Sequence, residues 1–313
     1  MLKYLVIELD YSSVSYCHYE KHPTKHNLID LCDLKSGILF AMKNNLYIQF
    51  VYPDYDLPDE YNELIETVDH VKIKPYAPTD DSDTTIMVVN GISAAQTVNW
   101  QEGRTYVLRI PKDDIKELAT TIDSIDVHVD RINVVLSDVE FLNDGDLVAY
   151  QAMLKSLANS VCTSGFKFQS NILSDRLFLE KMNNCNAGDE VITLAPNGRF
   201  YTCPAYFYDN PDSDCGNPTD GLNIKNAHLY KFEYSPICRH CDAYQCKRCV
   251  WLNKKLTLEC NTPSHEQCVI SHLERNASRL ISQSFRHLSN IVVNDIPEID
   301  YLDPFDNMMK WNN

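Results

Sequence analysis

The apolar and polar residues of the first 160 positions alternate between two periods. Short runs rich in Val, Ile, Tyr and Phe, which are typical of β-strands, are separated by segments with apolar residues at helical spacing. The predicted strands are YLVIEL (4–9), YIQFVY (47–52), HVKIKP (70–75), TTIMVVNG (84–91), TYVLRI (105–110) and VHVDRINVVL (127–136). The predicted helices are LCDLKSGILFAMKNN (31–45), EYNELIETV (60–68), PKDDIKELATTID (111–123) and DLVAYQAMLKSLANSVC (146–162). This alternation predicts an α/β fold with a mostly parallel sheet, open or curved into a partial barrel.

The pattern changes from about residue 171, where Asn, Gly, Pro, Asp and Cys replace the helical spacing. Because the stretch 183–221 has few apolar clusters, we expect it to bury too little surface to fold unaided. Nine of the twelve cysteines lie between Cys185 and Cys268, so metal–thiolate bonds would supply the missing stability. An amphipathic helix is predicted over 269–288.

Charge and hydropathy narrow the classes of partner. With 28 basic and 44 acidic residues the net charge is −16, which repels phosphate backbones and anionic membranes, so we expect no nucleic-acid and no membrane partner. The N-terminal MLKYLVIELD is a short apolar run that ends in acidic residues without a small-residue cleavage site, which predicts a first strand rather than a signal peptide. We therefore expect a cytoplasmic protein, in which cysteines are more often metal ligands than disulfides.

The cysteine spacing supports two kinds of metal centre. The stretch CRHCDAYQCKRC (238–249) holds two CxxC pairs separated by four residues, and each pair can direct two thiolates at one centre. Two pairs could complete the tetrahedral site of one zinc ion. Two iron–sulfur clusters that share this stretch fit the spacing better, because each cluster takes four thiolates and further cysteines lie at a distance in the sequence. His240 and His265 are additional candidate ligands.

The spacing resembles the SPASM domain, a C-terminal module of many radical S-adenosylmethionine enzymes that mature peptides. The resemblance is carried by C-x12-G-x4-C at Cys185, Gly198 and Cys203, and then by the cysteine-rich stretch and the closing Cys268. It covers roughly residues 180–275. The family has gaps of five and three residues where this chain has four and two.

The resemblance implies one or two auxiliary 4Fe–4S clusters and a set of ligands for each. One set is Cys238, Cys241, Cys246 and Cys268. The other set is Cys185, Cys203 and Cys249, with Cys215 or Cys260 as the candidate for its fourth position. Zinc remains the alternative metal.

The N-terminal loop lacks the motif that binds the catalytic cluster in these enzymes. Of the three cysteines of C-x3-C-x2-C, only Cys17 is present in ELDYSSVSYCHYE (8–20), and the other two positions hold Asp10 and Val14. The stretch VYPDYDLP (51–58) replaces the usual Gly-Gly-Glu-Pro. Because one thiolate cannot hold that cluster, S-adenosylmethionine is not an expected cofactor.

The chain as a whole resembles the CXXX repeat peptide maturases. The matching segments are SVSYCHYE (13–20), GILFAMKNN (37–45), IQFVYPDYDLP (48–58), CDAYQCKRCVWLNKKLTLE (241–259) and QCVISHLERNAS (267–278). The resemblance implies a partial (β/α) barrel like the radical S-adenosylmethionine core over 1–175, a SPASM-like metal-binding domain over 176–290 and an acidic tail over 291–313. It implies a role in maturing a ribosomally made, cysteine-rich precursor peptide.

The absent motif leaves a second hypothesis open. In that hypothesis the chain is a catalytically silent recognition protein with structural zinc, which presents a peptide to a separate radical S-adenosylmethionine enzyme.

Overall fold

The computed structural model describes residues 2–20, 26–78, 84–288 and 292–310. These residues form two compact units, each made from two separate stretches of the chain. The first unit comprises Met1–Val88 and Asn186–Tyr234, and the second comprises Val89–Cys185 and Ser235–Asn313. No helix of the described ranges is both long and apolar enough to cross a membrane.

The strands follow the apolar runs of the sequence. They are β1 Tyr4–Glu8, β2 Tyr47–Val51, β3 His70–Pro75, β4 Thr85–Asn90, β5 Thr105–Ile110, β6 Arg131–Leu136, β7 Gln169–Ser170, β8 Val191–Leu194, β9 Phe200–Tyr201, β10 Gly216–Asn217 and β11 Gly221–Leu222. The helices are α1 Leu31–Lys43, α2 Asp59–Ile65, α3 Ile92–Ala95, α4 Ile115–Asp123, α5 Asp144–Ser164, α6 Asp175–Phe178, α7 Pro204–Asp209, α8 Val250–Thr257, α9 His265–Leu288 and α10 Pro304–Lys310. Short 3-10 turns precede α4 and α5, and further ones lie at Ala227–Tyr230, Phe232–Tyr234 and Cys238–His240.

The first unit is built on an open sheet with strand order β4-β3-β2-β1-β8-β9. All neighbours in this sheet are parallel except β8 and β9, which form an antiparallel pair. The core lies beneath β1 and β2, where side chains such as Leu5, Ile7 and Phe50 pack against α1. This arrangement confirms the predicted α/β class and the mostly parallel sheet.

The second unit contains the parallel strands β5, β6 and β7. Helix α4 packs against α5, and α5 packs against the long helix α9. The N-terminus of α5 has a capping box, in which Asn143 accepts from the backbone N–H of Asp146 while the Asp146 carboxylate accepts from the backbone N–H of Asn143.

Two of the differences from the sequence-based prediction concern the half of the chain that holds the cysteines. The stretch predicted to be loop-rich contains the buried strand β8, which pairs in parallel register with β1 from Tyr4↔Val191 to Ile7↔Leu194. Helix α9 begins at His265 rather than at residue 269, because the side chain and carbonyl of Ser264 accept the N–H groups of Gln267 and Cys268 at its first turn.

Candidate metal centre

Four cysteines of the second unit line one cavity. Cys238 comes from the 3-10 turn Cys238–His240, Cys241 and Cys246 come from the loop that follows, and Cys268 lies in the first turn of α9. The cavity has a volume of about 20 Å³, which exceeds the roughly 10–15 Å³ that a buried water needs on the same measure. We call it the four-cysteine cavity. Its members are the same four residues that the sequence resemblance groups in one ligand set.

The loop directs backbone N–H groups at two of the sulfurs. The N–H of Ala243 donates to Sγ of Cys241 at 3.4 Å, and the N–H of Arg248 donates to Sγ of Cys246 at the same distance. Such N–H···S bonds stabilise thiolate ligands and tune the metal they bind. Arg248 reaches this position with a left-handed backbone, φ 41°, which a non-glycine residue adopts rarely.

Buried charges fix the same loop to the helices. The guanidinium of Arg275, on α9, donates to both carboxylate oxygens of Asp242, at 2.7 and 2.6 Å. Arg176, on α6, donates to the backbone carbonyl of Asp242 at 2.6 Å. Burial works to raise the pKa of Asp242, but the hydrogen bonds and charges of Arg275 and Arg176 outweigh it and hold the pKa below its ordinary value. We call these three residues the arginine clamp.

Burial keeps the thiols of the cavity protonated when no metal is bound. It raises the pKa of Cys238 and of Cys241 to about 12, and it raises the pKa values of Cys246 and Cys268 as well. The buried guanidinium of Arg248 opposes this for Cys238, as a positive charge beside a thiolate must. Thiols in such surroundings are inert as nucleophiles, and a metal must displace their protons in order to bind.

The four thiols surround the cavity without forming a close group of donors. Among the residues that the structure describes, no three His, Cys, Asp or Glu side chains come close enough together to share one metal ion. A tetrahedral zinc site needs its ligands that close, because each sulfur lies about 2.3 Å from the ion. A 4Fe–4S cluster instead takes its four thiolates at four separate irons, so its ligands need not lie that close to one another.

The remaining predicted ligands are distributed over both units. In the second unit, Cys185 and Cys249 interact, and their proximity adds to the burial that raises the pKa of Cys249 to about 12. Cys249 also caps α8 by accepting the N–H of Leu252 at 3.5 Å. Cys260 is buried after α8, and its carbonyl accepts from Asn253 at 3.0 Å.

Cys203 and Cys215 belong to the first unit. Cys203 precedes α7 at its N-cap. Cys215 lies within the apolar core of that unit, and its thiol donates to the carbonyl of Phe200 at 3.3 Å.

The N-terminal loop uses its side chains for structure. The carboxylate of Asp10 is fully buried and accepts from the backbone of Ser12 at 2.7 Å and from the hydroxyl of Tyr55 at 2.9 Å. Val14 is buried, and Cys17 is half-buried. The positions where a radical enzyme places two further cysteines are thus occupied by a hydrogen-bonded acid and a core valine.

The histidine that lines the cavity is not one of the two that the sequence indicated as candidate ligands. His240 and His265 are exposed, and they contact Arg239 and Asp303 respectively. His272 lines the cavity and was not singled out. Its spacing of four residues from Cys268 is the signal that could have found it, because residues at i and i+4 share a helix face.

Neither a family model nor a curated protein matches this sequence. The fold is similar to crystal structures of SuiB from Streptococcus suis. The structure bound to S-adenosylmethionine has a TM-score of 0.45 and 13% identity, and the match covers 73% of this chain and 65% of that chain. The structure bound to the precursor peptide SuiA has a TM-score of 0.45 and 12% identity, with 76% of this chain and 66% of that chain covered. The chain therefore spans just under two thirds of these proteins.

Proposed function

We propose that the four-cysteine cavity binds one 4Fe–4S cluster and that the chain takes part in maturing a cysteine-rich precursor peptide. The observation that carries the first part is the convergence of Cys238, Cys241, Cys246 and Cys268 on one cavity. The peptide role is drawn from the resemblance of the sequence to the CXXX repeat peptide maturases. Cys185, Cys203 and Cys249 as ligands of a second cluster, and Cys215 or Cys260 as its fourth ligand, stay predictions.

The chain's own residues would hold the cluster in a defined way. The four thiolates bind it, the N–H groups of Ala243 and Arg248 donate to two of them, and the buried guanidinium of Arg248 offsets negative charge. The arginine clamp fixes the loop that carries Cys241 and Cys246. When bound, the cluster supplies one-electron redox chemistry or a structural cross-link.

The burial of Asp10 and Val14 supports the proposal that the chain does not itself cleave S-adenosylmethionine. The protein would then bind the precursor peptide and act with a separate radical S-adenosylmethionine enzyme. In the alternative version of this role, a zinc ion replaces the cluster and cross-links the cysteines as a purely structural staple.

The identity of the metal is tested on anaerobically purified protein. Its content of iron, acid-labile sulfide and zinc is measured together with its visible absorption spectrum. About four irons and four sulfides at this site are expected. Cys246→Ala should remove them, whereas Cys162→Ala, in helix α5, should leave them unchanged. One zinc ion per chain and no colour would support the staple instead and would contradict the cluster.

The peptide role is tested by binding. A labelled peptide with regularly spaced cysteines should bind the metal-loaded chain, and the same peptide with serine at each cysteine should bind more weakly. No binding, with or without a radical enzyme present, would refute this role. Turnover of the peptide by the chain alone with S-adenosylmethionine would refute the adaptor version.

A further inference from the structure

His272 faces the four-cysteine cavity from helix α9. It lies one turn after Cys268, and its side chain lines the cavity while the residue is only 1% exposed. Its ring also packs near the ring of Tyr301, with 5.7 Å between centroids. The cavity therefore offers five donors, four sulfurs and one imidazole.

The hydrogen bonds of the ring define which nitrogen faces the cavity. Nδ1 lies 2.9 Å from the carbonyl oxygen of Cys268. Because a carbonyl only accepts, Nδ1 carries the proton of this bond. Nε2 then presents its lone pair, and a histidine held by its other N–H on a backbone carbonyl is the usual state of a metal-ligating histidine.

Nε2 lies beside one particular sulfur of the cavity, 3.6 Å from Sγ of Cys241. Two ligands of one tetrahedral metal are about 3.5 Å apart when the metal–sulfur and metal–nitrogen bonds are about 2.3 and 2.0 Å. The two atoms are therefore spaced so that the same metal position is within reach of both. Among the described residues, this contact between a cavity sulfur and an imidazole is made by Cys241.

We propose that Nε2 of His272 is an alternative ligand to Sγ of Cys241 at the same iron of the cluster. The inference rests on the proposed cluster in this cavity. Each iron offers one position to the protein, so only one of the two residues binds at a time. Imidazole in place of thiolate removes a negative charge from the cluster, and this raises its reduction potential.

Single and double variants separate this role from a structural one. The proteins are purified anaerobically, assayed for iron and sulfide, checked for folding by circular dichroism, reduced with dithionite and measured by pulsed electron paramagnetic resonance. Cys241→Ala should retain most of the iron and should show a ¹⁴N hyperfine coupling to the reduced cluster. Cys238→Ala, the matched control without a neighbouring imidazole, should lose more of the iron and should show no gain of a ¹⁴N coupling.

Two further variants complete the test. Cys241→Ala/His272→Ala should lose the iron that Cys241→Ala keeps, and His272→Ala alone should keep it through Cys241. Loss of iron in Cys241→Ala to the extent seen in Cys238→Ala would overturn the inference. Retention without a ¹⁴N coupling, retention in the double variant, or loss in folded His272→Ala would also overturn it. Absence of iron and sulfide from the unaltered protein would instead refute the proposed cluster itself.

Discussion

The guanidinium of Arg275 donates two hydrogen bonds, of 2.7 and 2.6 Å, to the carboxylate of Asp242. Asp242 directly follows Cys241 in the chain, and Arg275 lies on the helix that carries Cys268. The pair therefore connects the segment holding one predicted ligand to the element holding another. Bidentate pairs of this kind add geometric specificity as well as energy.

We predict that Asp242→Asn destabilises the protein by roughly 2–4 kcal/mol, because it leaves the fully buried Arg275 without its counter-charge. Urea unfolding at neutral pH measures this. Asp214→Asn is the matched control, since Asp214 pairs with the more exposed Arg199, and a surface pair contributes at most about 1 kcal/mol. Equal effects of the two substitutions would contradict the clamp.

The carboxyl of Glu274 predicts a pH dependence of stability. Burial raises its pKa to about 7, although Tyr150 donates to Oε1 at 2.8 Å and Gln245 donates to Oε2 at 3.4 Å. Because the folded state holds this proton more tightly than the unfolded state, whose pKa is near 4.5, the folded protein loses stability as pH rises from about 4.5 through 7.

We expect Glu274→Gln to remove that loss, since glutamine keeps an acceptor for Tyr150 and carries no charge. Between pH 5 and pH 8 the variant should gain on the order of 2 kcal/mol relative to the unaltered protein. Urea unfolding at both pH values gives the difference. Glu117→Gln, on the exposed face of α4, should show no such gain, and parallel curves for all three proteins would contradict the prediction.

The raised pKa values of the cavity thiols predict slow alkylation. In reduced, metal-free protein at pH 8, Cys238 and Cys241 should react with iodoacetamide at least about a hundredfold more slowly than Cys32, which is exposed on α1. Timed quenching followed by peptide mass spectrometry measures each site. Comparable rates at all three cysteines would show that the thiols are neither buried nor protonated as described.

Cys215 is expected to act as a core residue. Its thiol lies in the apolar core of the first unit and donates to Phe200, and burial raises its pKa to about 12. Cys215→Ala should therefore cost about 1–2 kcal/mol of stability and leave the iron content unchanged. Loss of iron from a folded variant would instead assign Cys215 the fourth ligand position.

Much of the fold follows from local pattern. The bounds of β3 and β5 match the predicted runs, because each is a short segment of strand formers between turn residues. The predicted strand 127–136 begins only at Arg131, since Val129 donates to the carbonyl of Val127 in a turn. Such a turn competes with the strand, and the apolar pattern does not reveal it.

The partners of distant segments could not be predicted in this way. Nothing local to Val191–Leu194 indicates that these four residues pair with β1, because strand pairing depends on the whole sheet. The resemblance to the SPASM domain implies that four of the cysteines form one ligand set, but it carries no information on side chains that approach from elsewhere. His272 reaches the cavity from α9, and Arg275 of the same helix pairs with Asp242 of the loop. Both contacts depend on tertiary packing.

The pairing of β1 with β8 has a consequence for synthesis on the ribosome. Tyr4 pairs with Val191, which follows it by 187 residues, a delay of roughly 10–40 s at ordinary rates of translation. During that interval one edge of β1 has no strand to bond with, and unpaired edges promote association between chains. Until β8 has been made, β2 is the neighbour with which β1 can pair.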